Sequence, residues 1–331
     1  MLISYLNLKS KAFTPLFHRA IPENGFSGLR ISFSFATNKN TDNKNDYRFE
    51  LLDLSAKGIS EISNLLTSVF GETTGLTPEF VNWEYYQNPV GKAVGFNAFA
   101  GNTLAAHYVT QPLVSEFGDK KVKGLLSLNI ATHADHRGKK LFTILADKPY
   151  EYALEQGYQF VIGVANANST PGFLKNLKFK LIKPLDVKIG VGKFPVNLEK
   201  CQGYQRFCDK EMLEWRLNNP KLGYEIRRQK DHFVVLAPTG NYGIKAIIGY
   251  FPVSLFSDKI KNLSKSATSA NPTKIWMGID EGLNWKNTLY FNFPDRYKPS
   301  PLNLIFRDLS ESGLTLDAAN LKFMSLDFDA Y

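Results

Sequence analysis

The sequence predicts an α/β protein built on a mixed sheet (an α+β arrangement), and three observations carry that prediction. From Tyr47 onward, strand-like and helix-like segments follow one another in the order β-α-α-β-β-β-α-β-α-β, which describes a sheet flanked by helices. The run QFVIGVAN is apolar almost throughout, as a strand covered on both faces should be. The second half echoes the first: EMLEWRLNNPKLGYEI follows the pattern of EFVNWEYYQNPVGKAVGF, an apolar helix with a tryptophan, then Asn-Pro, then a strand. The register slips by one residue between Trp83…Asn88-Pro89 and Trp215…Asn219-Pro220. The repeated element order predicts a duplicated fold with a degenerate second copy.

Taken in order, YRFELLDLS alternates as a strand does. GISEISNLLTSVFG places Ile59, Ile62, Leu65, Leu66 and Val69 at helical spacing. TPEFVNWEYYQNP opens on Thr-Pro and closes on Asn-Pro, a helix start and a helix stop. AVGFNAFAG and TLAAHYVTQPLV read as strands joined at Gly101-Asn102, SEFGDKKVKG as a charged turn, and GLLSLNIAT as a strand. LFTILADKPYEYALEQG reads as a helix with Leu141, Ile144, Leu145, Tyr152 and Leu154 inside and a kink at Pro149. NSTPGFLKNL reads as a capped short helix, and FKLIKPLDVKIG as one strand. In the second half HFVVLAPTG, GIKAIIGYF, KIWMGID and PLNLIFRDL read as strands and LFSDKIKNLSKSAT as a helix.

A chain of 331 residues has room for two domains of ordinary size. The expected divisions are a poorly ordered extension over 1–45, a first domain over 46–195 and a second over 196–331; the polar stretch ATNKNTDNKN reads as the linker before the first. Hydrophobic residues make up 44% of the chain, enough to fill real cores and to exclude a disordered chain. A net charge of +9 suits an anionic partner such as a nucleotide or phosphorylated cofactor without choosing among them. Cys201 and Cys208 match neither a CxxC redox pair nor a zinc spacing, and the five histidines form no metal-ligand pattern, so no metal is expected and both thiols read as reduced. No apolar run approaches the roughly 20 residues that cross a bilayer, and the N-terminus lacks a signal-peptide layout. The expected location is cytoplasmic.

The chemistry concentrates in THADHRGKKLF, Thr132 to Phe142. A strand ends near Thr132 and a helix is expected to begin near Lys139 or Lys140. The first amides of a helix have no intrahelical acceptor and carry the positive end of its dipole, so such a turn forms an anion-binding concavity. Gly138 allows the tight turn and Arg137 adds a permanent charge. Lysines at a helix start oppose the dipole, which suggests that an anion is expected there; a diphosphate fits by charge and size. A basic helix start with no ligand is the plain alternative.

The block from Leu125 to Ile182 resembles the signature region of the GNAT acyltransferase superfamily: strand, R-G-x-G-x-G/A turn, helix, strand, asparagine and a short helix. Within it, the branch associated with polysaccharide and sugar modification is the most similar. The resemblance implies a GNAT acyl-CoA N-acyltransferase fold with acetyl-CoA, or another acyl-CoA, as co-substrate. It implies that the amides of Gly138, Lys139, Lys140, Leu141 and Phe142, with Arg137 leading, cradle the CoA diphosphate. Ile130, Ala131 and Thr132 would pair with the pantetheine arm between two splayed strands, and Asn166, Asn168 and Ser169 would sit at the mouth of the splay. The chain departs from the family pattern at Ala134, Lys140, Phe142 and Lys178-Phe179, and Phe173-Leu174 stands where many members carry a tyrosine that protonates the leaving thiolate. Lys140 is expected to keep negative φ as a helix start does. After GIKAIIGYF the second half has PVSLFSDK and no such turn, so one site is expected, in the first half.

His107 is the first candidate for the base that takes the acceptor's proton, against the plain reading of a packed histidine, and Asn129 is a polar group aimed from the central strand. His133 and His136 flank the turn; Trp83, Tyr85 and Tyr86 line an acceptor pocket or belong to the core. The expected acceptor is a small amine or hydroxyl, for example on an amino sugar or nucleotide sugar, with the protein a monomer or homodimer and no nucleic-acid motif. An aminoacyl-tRNA-dependent transferase and a non-catalytic acyl-CoA-binding module stay open as alternatives.

Overall fold

The computed structural model describes residues 47–264, 273–294, 296, 298 and 300–328; the extension expected over 1–45 lies outside them. Its strands are β1 (Tyr47–Leu51), β2 (Val94–Ala100), β3 (Thr103–Phe117), β4 (Lys120–Thr132), β5 (Phe160–Ala165), β6 (Lys180–Pro184), β7 (Asp186–Val191), β8 (Tyr204–Arg206), β9 (Glu225–Arg228), β10 (His232–Pro238), β11 (Ile244–Pro252), β12 (Thr273–Asp280), β13 (Leu289–Asn292), β14 (Asn303–Asp308) and β15 (Leu321–Met324). The helices are α1 (Ala56–Phe70), α2 (Pro78–Tyr85), α3 (Leu141–Glu155), α4 (Thr170–Asn176), α5 (Lys210–Leu217) and α6 (Asp258–Leu263). The mixed α/β class read from the sequence is the observed one.

Local chemistry sets the helices that flank the site. Ser55 caps α1 by accepting from the Gly58 amide, and Ile59, Ile62, Leu65 and Leu66 are its buried stripe, as their spacing predicts. Thr77 caps α2 by accepting from the Phe80 amide, with Pro78 in the first turn. In α3 the buried set is Leu141, Leu145, Ala146, Pro149, Tyr150 and Ala153, whereas Ile144, Tyr152 and Leu154 are exposed. Hydrophobicity alone misplaced that face; the stripe runs through small residues and Pro149. SEFGDKKVKG is likewise not a loop. β3 and β4 pair out to Phe117 and Lys120, and Gly118 at φ 59° makes the turn. Val122 is buried between exposed Lys121 and Lys123, so the lysines are the solvent face of a strand.

All the strands join one sheet, in the order β6-β14-β5-β4-β3-β8-β15-β12-β11-β10-β9, with β1 and β2 running on from β3, and β7 and β13 from β12. FKLIKPLDVKIG is not one strand. It breaks after Pro184, and its two pieces enter different parts of the sheet. β7 lies between β12 and β13 of the second half. In return β14, from PLNLIFRDL, lies between β5 and β6 of the first. Each half thus contributes one strand to the other, and a cut at 195/196 would sever both exchanges. The orders β6-β14-β5-β4-β3-β2 and β13-β7-β12-β11-β10-β9 match position for position.

The echoed tryptophans meet. Trp83 and Trp215 stack with centroids 4.9 Å apart. Each indole donates to the other's carbonyl, Trp83 Nε1 to Trp215 O at 3.1 Å and Trp215 Nε1 to Trp83 O at 3.2 Å, a reciprocal contact of the kind a two-fold relation produces.

Each half contains a parallel pair whose strands later part. β4 and β5 pair from Gly124–Phe160 to Ser127–Gly163 and then part. β11 and β12 pair from Ile244–Thr273 to Ile247–Trp276 and then part. The two openings have different fates. In the second half β15 pairs with Gly278, Ile279 and Asp280 of β12, on the edge opposite β7, and so fills the gap. Ser325 then anchors the plug by donating to the Met277 carbonyl at 2.8 Å. In the first half the gap is a cleft.

Candidate functional site

The cleft between β4 and β5 has a volume of about 440 Å³. At its vertex Ser127 faces Gly163, where an added Cβ would stand 3.3 Å from that of Ser127; glycine keeps the vertex open. Leu128, Asn129, Ile130 and Thr132 line one wall, Val164, Asn166 and Ser169 the other. Phe142 and Phe173 close one side, packed edge to face at 5.3 Å. Beyond Ser127 and Gly163 each strand turns an unpaired edge towards the other, so main-chain groups are free to pair with an extended ligand. Leu302 and Phe328 also reach the cleft from the second half.

β4 is bent at this place by a bulge. Ala131 pairs with His107 and Leu128 with Val109, so Asn129 and Ile130 together oppose Tyr108 alone. Asn129 takes the left-handed conformation this needs, φ 47°, which asparagine tolerates better than most residues. Its Nδ2 donates to Glu84 Oε2 at 2.6 Å. Glu84 is 1% exposed, a buried carboxylate on the inner face of α2 held behind the cleft wall. Glu84 is not among the residues the sequence singled out. Its signal was its position, four residues after Phe80 and three after Val81, on the stripe that is otherwise core.

After Thr132 the chain makes a 3₁₀ turn over Ala134–His136 and reaches Gly138 at φ 76°. Helix α3 begins at Leu141, one or two residues later than expected. Lys140, its N-cap, is left-handed at φ 59°, ψ 18°, which corrects the expectation of negative φ: the turn wants a glycine here, as the family pattern has, and the lysine adopts glycine's conformation. Among the described residues, no hydrogen bond runs from the amides of Gly138, Lys139, Lys140, Leu141 or Phe142 to a protein acceptor. Five successive N–H groups at a helix start, with Arg137, Lys139 and Lys140 exposed around them, form a main-chain nest of the kind that binds a diphosphate. Phe142, bulky where the family is small, is turned into the apolar cluster with Tyr108 and Phe173 and leaves the nest clear.

The structure brings together Asn129, Ile130, Thr132, Phe142, Asn166 and Ser169 on the cleft, with the Arg137–Leu141 turn leading into α3. It does not bring in three other expected residues. Ala131 was expected through its backbone groups; its side chain does not line the cleft but is buried on the opposite face of β4, in the cluster with α1 and α2, because side chains alternate along a strand. Asn168 is exposed and does not line the cleft. Asn166 spends its side chain on the turn, accepting from the Asn168 and Ser169 amides at 3.0 Å each, so it shapes the mouth. His107 is the larger correction. It is fully buried, its Nδ1 lies 2.8 Å from Asn97 Oδ1 and its Nε2 3.2 Å from the Tyr85 hydroxyl. Burial pushes its pKa down to about 3. With both nitrogens engaged and no access to the cleft, it is a packed histidine and Tyr85 is its partner, so neither meets an acceptor. Trp83 is buried against Trp215 as described.

Among the described residues no group of His, Cys, Asp and Glu side chains could hold a metal ion, and no helix is long and apolar enough to cross a membrane. A chain of hydroxyls backs the vertex: the Tyr108 hydroxyl lies 3.4 Å from Ser127 Oγ and is hydrogen-bonded to that of Tyr150. Burial raises both phenols, Tyr108 to about 12, so both stay protonated.

A sheet opened between its central parallel strands, with a main-chain nest at the end of one of them, makes up the candidate site. Residues 51–182 match the acetyltransferase (GNAT) domain family, and together with the fold this match makes the chain an acyltransferase. Many solved structures resemble it in fold, three of them as follows. One is a conserved protein of unknown function from Enterococcus faecalis, described as a probable N-acyltransferase, with TM-score 0.57 and 10% identity over 80% of this chain and 73% of that one. Another is a GCN5-related N-acetyltransferase from Anabaena variabilis, with TM-score 0.51 and 12% identity over 79% and 73%. The third is Saccharomyces cerevisiae N-myristoyltransferase with bound myristoyl-CoA, with TM-score 0.51 and 13% identity over 82% and 84%. No curated protein matches the sequence significantly.

Proposed function

We propose that the protein transfers an acyl group from acyl-CoA, acetyl being the default, to a small amine, and that it does so at one site in a duplicated fold. The observation that carries the reading is the run of five amides without protein acceptors at the end of an opened β4. In this reading Gly138 to Phe142 hold the diphosphate, with Arg137, Lys139 and Lys140 adding charge. The pantetheine arm lies along Ile130 and Thr132, and the thioester reaches the bulge and vertex at Ser127–Asn129. A neutral amine attacks the thioester carbonyl carbon, the C–N bond forms and the C–S bond breaks. The proton lost by nitrogen balances the one gained by the thiolate. Holding the reactants in this geometry supplies much of the rate. Ser127, backed by Tyr108 and Tyr150, is the hydroxyl placed to protonate sulfur where the usual tyrosine is replaced by Phe173-Leu174. Glu84 fixes Asn129, and through it the bulge. An amino sugar or nucleotide sugar is the acceptor class the resemblance favours.

Duplication is supported by the matching strand orders, the exchanged β7 and β14, and the Trp83–Trp215 pair. The plug of β15 supports a single acyl-CoA site, since the equivalent opening in the second half is closed by the chain itself.

Isothermal titration with acetyl-CoA, and thiol release in the presence of candidate sugar amines, test the reading. Saturable binding that is lost in Gly138→Asp and Arg137→Glu, with melting temperature retained, is the expected result. An added Cβ at Gly138 meets nothing within 4 Å, so the aspartate acts by charge and backbone strain rather than by clash. Wild-type affinity in either variant would overturn the site.

A further inference from the structure

A second cavity, of about 320 Å³, lies in the other half of the sheet, lined by β8, α5, the end of β11 and the segment Leu321–Asp327. The acyl-transfer reading does not use it. At its polar end stand Arg206, Arg216, Lys322 and Asp327. Arg206 Nη1 donates to the Asp327 carbonyl at 2.9 Å. Its Nε and Nη2 are buried and meet no protein acceptor. Those two N–H groups are the parallel pair on one side of a guanidinium, the pair that takes both oxygens of a carboxylate. Leaving them unmatched in the interior is costly.

The surrounding charge points the same way. Arg216 Nε donates to Leu326 O at 3.1 Å, and Lys322 Nζ to Asn197 O at 2.8 Å while lying over the Tyr250 ring. Asp327 is the one buried carboxylate lining the cavity, and its Oδ2 accepts from the Met324 amide. Glu116, at the mouth, is matched by Lys200 at 4.0 Å, and exposed Glu199 lies beside them. The unmatched donors of the cavity are thus the Nε and Nη2 groups of Arg206. The remaining walls are apolar, with Met212, Phe251, Leu255 and Leu326 prominent.

We propose that this cavity is a binding site for a small carboxylate with a compact apolar body, its oxygens on Arg206 Nε and Nη2 and its body against Met212, Phe251 and Leu255. The ligand would join β8, which links the two halves of the sheet, to the plug that fills the second opening.

Benzoate and hexanoate are the probes, with benzamide and inorganic phosphate as controls, read by isothermal titration on the full chain. Saturable binding of either carboxylate is expected, weakened at least about tenfold in both Arg206→Lys, which keeps the charge but loses the fork, and Arg206→Met, which keeps the volume. Gly138→Asp should bind the probes as the wild type does, so the outcome is independent of the acyl-CoA site. Unliganded Arg206→Met should melt no lower than wild type, since an unmatched buried guanidinium is removed; should it fail to fold, Arg206→Lys decides alone. The proposal falls if neither carboxylate binds at millimolar concentration, if binding survives the Arg206 substitutions, or if benzamide or phosphate binds as well as the carboxylates.

Discussion

Lys140 offers a test in which stability and affinity should move in opposite directions. It holds φ 59°, ψ 18° at the N-cap of α3, and the left-handed region costs a residue with a Cβ about 1–2 kcal/mol. Glycine escapes that cost but loses about 0.4–1 kcal/mol through its freer unfolded chain. Lys140→Ala keeps the strain and removes the charge, whereas Lys140→Gly removes both. The glycine variant should therefore be more stable than the alanine variant by about 0.5–1 kcal/mol, or about 1–3 °C in a chain of this size. Both should bind acetyl-CoA about 2–5-fold more weakly at low salt, because an exposed lysine–phosphate contact is worth no more than that. The difference from wild type should shrink as salt is raised. Differential scanning calorimetry and titration at two ionic strengths read both quantities. A glycine variant that melts below the alanine variant would refute the left-handed geometry. Equal affinity in all three proteins at low salt would refute the position of the side chain beside the diphosphate.

Other residues make sharper or broader tests. His107 has a folded pKa of about 3 against about 6.5 unfolded, so between those values the unfolded chain binds the extra proton. Its stabilising effect is complete above pH 6.5 and is lost on acidification towards pH 3, at up to about 1.4 kcal/mol per pH unit. His107→Gln should flatten that part of the acid-denaturation curve without shifting the pH profile of kcat, and a displaced kinetic pKa would restore His107 as a base. Asn129→Gly should keep the bulge but release Glu84, lowering turnover while acetyl-CoA affinity stays within about twofold; Asn129→Ala adds left-handed strain of about 1–2 kcal/mol and should melt lower than the glycine variant. Ser127→Ala should slow the release of CoA thiol about tenfold or more at unchanged acetyl-CoA affinity, and unchanged turnover would remove the hydroxyl from the reaction.

The parts of this molecule that were legible in its sequence are those fixed by neighbours in the chain. Ser55, Thr77 and Pro78 mark helix starts because caps are local. The turn from Arg137 to Phe142 stands out in the sequence because the chemistry proposed for it lies in the main chain, which no side chain has to be brought from afar to complete. His107 was not legible, since its fate depends on Asn97 from β2 and Tyr85 from α2. Glu84 carried a readable sign, an acidic residue at a core position of an apolar stripe, but its partner Asn129 is 45 residues away. The exchange of β7 and β14 was hidden by a run, FKLIKPLDVKIG, in which only Pro184 hinted at a break.

In the proposed reading, the two openings in the sheet explain why two matching halves would serve one acyl-CoA. Where parallel strands part, each exposes a row of unpaired amides and carbonyls, and burying them unpaired is expensive. An extended pantetheine arm satisfies such a row with its own amides in the manner of an added strand. A piece of the chain does the same, and being tethered it needs no favourable concentration of ligand. β15 takes that role on β12, so the second half is complete without a cofactor and had no need of a phosphate-binding turn after β11, where PVSLFSDK stands. The first half keeps its row open, and in the proposed reading the same edge that makes it incomplete alone is what would allow it to hold a substrate.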